Sequence, residues 1–354
     1  MIRPLLVAAL TLTACGPSAE QIATRQALDR RYLDAERAAD TGEADRAFEL
    51  FATLARDPRA DAELRALARH RQGQLRARQG RRDEAIALFE SVHDDPSREA
   101  LAALDRAALH DDRATRRRAT LAVAERWPAT AAAELALEQL ATTATPAEAA
   151  PEADALAALA AAHPDAIGAP ALWFKAGLEL RRLGDLPAAR ATLRKLTRRH
   201  CCAVATHDAL WLLGAIYTRQ GAYDHAIRAF QSLADTHPDR GLFPPIGSAR
   251  AIRGDDAALA AGRVALHGKR DPAEAIERLT AALEAFPDAR TADDARYALA
   301  LAHAAAGHPD AARAALDRLL RDHPQSRHAR AARAALAGAP LAAPDASTLT
   351  DLTP

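Results

Sequence analysis

The sequence has few aromatic residues. Phe, Trp and Tyr together make up 4% of the 354 residues, although 49% of the chain is hydrophobic and much of that share is alanine. Small side chains favour thin helices that pack closely over a thick core or a sheet. We therefore expect an all-α protein.

Neither sign of charge is in excess. Lys plus Arg and Asp plus Glu each total 47 residues, and Lys175, Lys195 and Lys269 are the only lysines. A balanced chain has no overall field that would hold a polyanion. We therefore expect no nucleic-acid partner.

Long apolar runs are also missing after residue 14. The first residues contain one cation, Arg3, then an apolar run from Leu5 to Leu12 that is too short for a transmembrane helix. This layout is typical of a secretory signal, here residues 1–14, which is removed from the mature protein.

The end of this segment, Leu12-Thr13-Ala14-Cys15, resembles the lipobox of bacterial lipoproteins. The resemblance implies that Cys15 is lipidated and anchors the chain to a membrane, with residues 15–26 as a tether. Because Gly16 and not Asp follows the cysteine, it also implies the outer membrane, facing the periplasm. The alternative is an ordinary signal peptide with an incidental cysteine.

One spacing of small and large residues recurs along the chain. A glycine stands five residues before an alanine, and a large apolar residue stands four residues after it. A sixth copy, with Ala275 and Leu279, has Arg270 in place of the glycine. The five full copies are Gly42, Ala47, Phe51; Gly80, Ala85, Phe89; Gly184, Ala189, Leu193; Gly221, Ala226, Phe230; and Gly307, Ala312, Leu316.

The best copy resembles the tetratricopeptide repeat in full. Its positions are filled in order by Leu210, Leu213, Gly214, Tyr217, Ala226, Phe230, Leu233 and Pro238. The resemblance implies a right-handed α-solenoid of about eight helical hairpins over residues 27–336, with a concave and a convex wall. Small Gly214 and Ala226 are expected to let the two helices of a hairpin approach closely.

Three segments depart from the repeat. Residues 97–164 keep only the closing prolines and predict two degenerate hairpins. Residues 239–256 contain Pro244-Pro245 and predict a loop between hairpins. Residues 337–354 have several prolines and few large apolar side chains, which predicts a disordered tail.

No catalytic motif is present, and no cofactor is expected. Gly262 to Lys269 has the wrong spacing for a phosphate loop. His200, Cys201, Cys202 and His207 could offer ligands to zinc or copper, but adjacent cysteines seldom give a relaxed tetrahedral site. We therefore predict no metal site and interpret Cys201 and Cys202 as partly buried thiols in a turn, open to forming a vicinal disulfide.

The tetratricopeptide resemblance also implies where a partner would bind. In that family, ligand contacts come mostly from the first helix of each hairpin. Two slots there are of interest, and the sequence leaves open whether their side chains bind a peptide or pack against neighbouring helices. One slot holds aromatic residues and a histidine, and a second holds arginines: Tyr32, His70, Phe174, Trp211 and Tyr297; and Arg78, Arg182 and Arg219.

The sequence thus favours a non-enzymatic, lipid-anchored scaffold of the bacterial cell envelope that binds a protein or peptide in its concave groove. The alternative is a periplasmic enzyme or binding module that acts on peptidoglycan or peptides. That alternative needs catalytic residues within 97–164, where acidic side chains such as Asp105 and Glu134 are typical of solvated helix faces.

Overall fold

A computed structural model describes residues 18–236 and 254–352, apart from the side chains of Arg181, Arg182 and Thr236. All regular structure in these ranges is helical, which confirms the all-α prediction. The chain divides into two compact units, residues 1–136 and 137–354, and the boundary falls within one helix. No helix in the described ranges has the length and apolar character needed to cross a membrane.

The first unit consists of consecutive helical hairpins in which each helix packs on the next. We call the first helix of a hairpin its A helix and the second its B helix. The helices are α1 (Ala19–Asp40) with α2 (Ala44–Arg56), α3 (Ala62–Arg78) with α4 (Arg82–Glu90), and α5 (Pro96–Ala108) with α6 (Arg113–Arg126).

The helix α7 (Ala131–Thr143) spans the unit boundary and precedes α8 (Pro146–Ala162). From α8 onward each helix again packs on its successor. The hairpins are α9 (Gly168–Leu178) with α10 (Leu186–Arg199), α11 (Val204–Arg219) with α12 (Tyr223–Thr236), α13 (Gly254–Arg263) with α14 (Pro272–Ala285), and α15 (Ala292–Ala305) with α16 (Pro309–Asp322), followed by α17 (Ala329–Leu336).

The repeated glycine ends the A helix. Gly221 has a φ of +70°, a left-handed conformation that glycine adopts without a Cβ penalty. The N–H of Ala222 then donates to the carbonyl of Tyr217 at 2.9 Å, which satisfies a carbonyl at the helix end. The chain thereby reverses within two residues and starts the B helix.

The small residues allow close packing, as the sequence predicts. A Cβ built on Gly214 would lie 2.5 Å from Cε1 of Phe230, and Ala226 and Phe230 are completely buried. The same relation holds between Gly73 and Phe89 in the first unit. The hairpin core is therefore a large B-helix side chain set against an A-helix glycine.

The region 97–164, where the repeat is weak in sequence, also forms helices, α5 to α8. Proline occupies the first turn of α5 and of α8, where its missing N–H costs nothing. Within the first unit α5 and α6 pack on each other, so this hairpin forms without the glycine signal.

The predicted tether, loop and signal segment are covered by the structure to different extents. The predicted tether, residues 15–26, includes the start of α1, because Ser18 and Gln21 form a capping box there. The predicted loop, residues 239–256, lies outside the described residues up to 253, and α13 begins at Gly254. Residues 1–17, with the predicted signal and Cys15, lie outside the described residues as well.

The prediction of a disordered tail differs from the structure for residues 345–352, which we call the return segment. Ala346–Leu352 forms a 3₁₀ helix beside α11 and beside Val264–Lys269, which follows α13, and Leu349 and Leu352 are buried. Burial of these two leucine side chains stabilises the return of the segment to the helices.

Candidate functional site

The candidate residues all lie on A helices. In the first unit, Tyr32 lies on α1, and His70 and Arg78 lie on α3. In the second unit they are Phe174 on α9, Trp211 and Arg219 on α11, and Tyr297 on α15. The side chain of Arg182 lies outside the described part of the structure.

The aromatic slot packs against the B helix of its own hairpin. Ring centroids are 5.7 Å apart for Tyr32 and Phe51, 5.7 Å for His70 and Phe89, and 5.0 Å for Trp211 and Phe230, with interplanar angles near 60° in all three. The same sequence spacing separates the two rings of each pair. One side of each ring thus contributes to the hairpin core, as aromatic pairs favour tilted contacts.

Four of these residues keep part of their surface accessible. Tyr32, Phe174, Trp211 and Tyr297 are half-buried. The ring of Tyr297 stacks on His328 with centroids 4.2 Å apart. The sequence left open whether these rings pack against helices or bind a peptide. Because they are half-buried, they can pack on one side and still present surface to a partner on the other.

His70 differs from the other members of the slot. Its side chain is 3% exposed, and its Nε2 lies 2.9 Å from Oδ2 of Asp105 on α5. Gln74 Nε2 donates to the same oxygen at 2.7 Å. Burial opposes ionisation of Asp105, but these two hydrogen bonds lower the pKa of its carboxyl group below the usual range. His70 thus joins two hairpins instead of facing a partner.

The hydroxyl of Tyr32 belongs to a polar cluster between α1 and α3. Burial, together with its hydrogen bond to Glu36, raises the pKa of Tyr32 to about 12. The guanidinium of Arg71 donates to Glu36, with 2.6 Å between Nε and Oε1. Tyr32 therefore stays a neutral hydrogen-bond donor at physiological pH, held by groups of its own chain.

The arginine slot is available for a partner. Arg78 and Arg219 are exposed, and among the described residues no ion pair is seen for either guanidinium, although the charge of Arg78 helps to lower the pKa of Glu36. Each follows the packed glycine of its A helix, Gly73 or Gly214, at the same distance along the chain. A free guanidinium at a repeated position can pair with a carboxylate in a bidentate manner.

Two A helices contain one residue more than the sequence alignment assumes. The chain continues from α9 into a π-helical turn, Glu179–Leu183, and from α13 into another, Val264–Lys269. In the second case Gly262 is the glycine that packs under the B helix, since its Cβ would lie 2.5 Å from Leu279 Cδ2. A π turn inserts a residue without ending the helix, so alignment by sequence alone is shifted by one.

This shift changes the occupants of both slots. Counted from Gly262 as from Gly73 and Gly214, the arginine slot of the α13 hairpin holds His267. By the same offset we infer that Trp173, also half-buried, takes the aromatic slot assigned to Phe174. Sequence spacing counted from the turn residue could not reveal this shift of the slots, because the π turn adds its residue between the slot and that turn residue.

The prediction of partly buried thiols is wrong. Cys201 and Cys202 are free and exposed, with their Sγ atoms 3.3 Å apart. They stand in the turn before α11, so no neighbouring helix covers them. Within the described ranges, no group of three or more His, Cys, Asp or Glu side chains is arranged to hold a metal ion.

Sequence reasoning missed a local concentration of positive charge. The helix α10 has no acidic residue, and Arg194, Lys195, Arg198 and Arg199 line one surface depression with Ala191. No described acidic side chain pairs with these four cations. The zero net charge of the whole chain gives no indication of this cluster. The sequence of α10, which has several cations and no acidic residue, does indicate it.

Two family models, each described as tetratricopeptide repeat, match parts of the second unit. They cover residues 174–240 and 266–336. The matched segments contain α10 to α12 and α14 to α17, which include three of the five full copies of the glycine and alanine spacing. The matches support the tetratricopeptide repeat that the sequence resembles. No curated protein matches the chain.

Several solved structures are similar to this chain at low sequence identity. A tetratricopeptide repeat protein from Parabacteroides merdae is 13% identical, with 87% of this chain and 97% of that chain covered and a TM-score of 0.29. The P58(IPK) TPR domain is 17% identical, with 86% and 96% covered and a TM-score of 0.26. The Naa15/Naa10 complex bound to HypK-THB is 14% identical, with 86% and 43% covered and a TM-score of 0.40. Scores of this size support no argument about function.

Proposed function

We propose that this protein is a non-enzymatic scaffold that binds another protein through the outward face of its A helices. The matched tetratricopeptide segments suggest protein–protein interaction as the role. The observation that carries the proposal is the repeated arginine slot, in which Arg78 and Arg219 are exposed and form no ion pair with another described residue. On α11 the half-buried ring of Trp211 lies about two helical turns before Arg219 and offers apolar contact to the same partner.

The partner that fits these side chains is an extended segment or helix with carboxylates. Arginine forks pair with carboxylates, and aromatic rings contribute contact area at low entropic cost. Because the chain as a whole has no net charge, attraction of such a partner would be short-ranged and would depend on exposed cations such as Arg78 and Arg219.

Charge reversal tests this proposal. The double variant Arg78→Glu and Arg219→Glu should lose capture of the protein that co-purifies with the wild type from cell-envelope extracts. The matched control is Arg228→Glu, an exposed arginine on the B helix α12. Circular dichroism should show the same helical content for all three proteins. Equal capture by both variants would remove the A-helix face as the binding surface.

We further propose that the scaffold is attached to the outer membrane through a lipid on Cys15 and faces the periplasm. The support is the sequence Leu12-Thr13-Ala14-Cys15 and the glycine that follows it. Several acyl chains, at about 0.8 kcal/mol per buried methylene, would hold the protein on a membrane essentially permanently.

Two substitutions test the anchor and its destination separately. Cys15→Ser should abolish incorporation of labelled fatty acid, whereas Cys201→Ser with Cys202→Ser should leave it unchanged. Gly16→Asp should move the protein from outer-membrane to inner-membrane fractions of a density gradient. Labelling that survives Cys15→Ser would end the lipoprotein proposal, and a distribution unaffected by Gly16→Asp would end the assignment to the outer membrane.

A further inference from the structure

The return segment, residues 345–352, lies beside elements of two consecutive hairpins. Its 3₁₀ helix packs beside α11 and beside the π turn that continues α13. Both are A helices of the second unit, so the segment covers part of the face to which we assign partner binding.

The anchor of the segment is a bidentate ion pair. Arg263 Nη1 donates to Oδ2 of Asp351 at 2.8 Å, and Nη2 donates to Oδ1 at 3.0 Å. The same Nη2 also donates to the carbonyl of Thr348 at 2.6 Å. Because the guanidinium binds both a carboxylate and a backbone carbonyl, it recognises the charge of the segment and fixes the position of its backbone.

Apolar contacts flank this ion pair. Leu349 and Leu352 are 3% and 5% exposed, although the intervening Asp351 keeps 60% of its side-chain surface. The segment therefore places two leucines against the helices and its carboxylate at the rim. Such an arrangement of apolar anchors and one charge is typical of short peptides bound in helical grooves.

A histidine in the arginine slot receives the start of the segment. The N–H of Asp345 donates to Nδ1 of His267 at 3.1 Å. Burial, followed by the neighbouring Arg263, lowers the pKa of His267, so the ring is neutral at pH 7 and can accept this hydrogen bond. The slot occupied by Arg78 and Arg219 elsewhere is thus engaged by the chain itself in this hairpin.

We propose that the α11–α13 surface is a peptide-binding site for a segment with an acidic residue between two leucine-like residues, and that the return segment is its displaceable internal occupant. The inference rests on the proposed scaffold function and adds the chemistry of the ligand. An occupant tethered through residues 337–344 has an effective concentration on the order of millimolar, so free peptide at micromolar concentration would not displace it.

A binding assay with a labelled peptide tests the proposal. The probe is a fluorescein-labelled peptide with the sequence of residues 343–352, and binding is followed by fluorescence anisotropy. The released variant, with Leu349→Ser, Asp351→Ala and Leu352→Ser in the full chain, should bind the probe at least ~10-fold more tightly than the wild type. A probe with asparagine in place of its second aspartate should bind the released variant at least ~10-fold more weakly.

A second substitution separates this site from other surfaces. Arg263→Ala in the released variant should abolish probe binding, and Arg313→Ala, at an exposed arginine on α16, should not. Circular dichroism and the Tm establish that each variant is folded. If the triple substitution unfolds the chain, the single substitution Asp351→Ala is used in its place. Equal probe binding by wild type and released variant, no binding by either, or binding unaffected by Arg263→Ala overturns the proposal.

Failure of the peptide-site proposal can be distinguished from failure of the proposed scaffold function. Partner capture that depends on Arg78 and Arg219 but is accompanied by no probe binding would reject only the peptide site. Loss of both would reject the scaffold function as well. Stronger partner capture by the released variant than by the wild type would support both.

Discussion

The ring of Phe230 occupies the space beside Gly214, so that a Cβ added to the glycine would come within 2.5 Å of Cε1 of the ring. Trp211 contacts the same ring from the A helix, with 5.0 Å between centroids. Phe230 is therefore held between a glycine and an aromatic residue of one helix. This relation explains why the repeat combines a small and a large residue at fixed spacing.

Gly214→Ala should lower the stability of the protein. Alanine gains about 0.5–1 kcal/mol over glycine inside a helix, but overpacking a core typically costs about 1–3 kcal/mol, so we expect a net loss on the order of 1 kcal/mol. Urea unfolding measures the change. In the double variant with Phe230→Leu, the smaller side chain should reduce the cost of the added methyl group. A cost of Gly214→Ala that is the same in both backgrounds would contradict direct contact.

Arg270→Gly should stabilise the protein. Arg270 has a φ of +57°, whereas the corresponding positions of other hairpins hold glycines such as Gly221 at +70°. A non-glycine residue pays roughly 1–2 kcal/mol for the left-handed conformation, so glycine should recover about 1 kcal/mol. The control Arg270→Ala removes the charge and keeps the penalty, and should give no comparable gain in Tm. Equal gains from both substitutions would show that the charge, not the backbone, was responsible.

Asp208→Asn should stabilise the protein in a pH-dependent way. Asp208 on α11 is 4% exposed, and burial raises the pKa of its carboxyl group to about 7. Below about pH 4 the carboxyl is neutral in the folded and unfolded states and costs nothing. As the pH rises from about 4 to about 7, only the unfolded state ionises, so stability falls, and the full penalty applies above pH 7.

Asparagine removes this penalty. The variant should therefore be more stable than the wild type at pH 8, by at most about 4 kcal/mol if each pKa unit contributes about 1.4 kcal/mol. At pH 3, below the pKa of the unfolded-state carboxyl group, the two should unfold at nearly the same urea concentration. Asp317→Asn, at an exposed position on α16, is the control and should have no effect at either pH. A stabilisation of Asp208→Asn that is equal at both pH values would contradict a buried charge as the cause.

The hairpins could be predicted from the sequence because their physical requirements are local. A glycine that ends a helix, an alanine at a helix crossing and a large residue opposite it recur at fixed distances. Gly221, Ala226 and Phe230 show all three. The capping box of Ser18 and Gln21 is also local, and it predicts that α1 begins at Ala19, within the predicted tether.

Features that depend on tertiary context could not be predicted in this way. The π turn that makes Gly262, not Arg263, the packed residue inserts one residue without a distinctive sequence. The return segment contains only two buried leucines, and its contact with Arg263 joins positions far apart in the chain. Burial of His70 depends on Asp105 in the next hairpin.

The most direct test of the account is site-specific photo-cross-linking in intact cells, since its central claim is that the A-helix face binds another protein. A photoreactive amino acid would replace Gln220, which is exposed directly after Arg219 at the end of α11, in one variant and Arg228 on α12 in another, so that Arg219 itself is kept. The proposal predicts a discrete protein adduct from position 220 and none from position 228. Adducts of equal yield from both positions, or from position 228 alone, would contradict it.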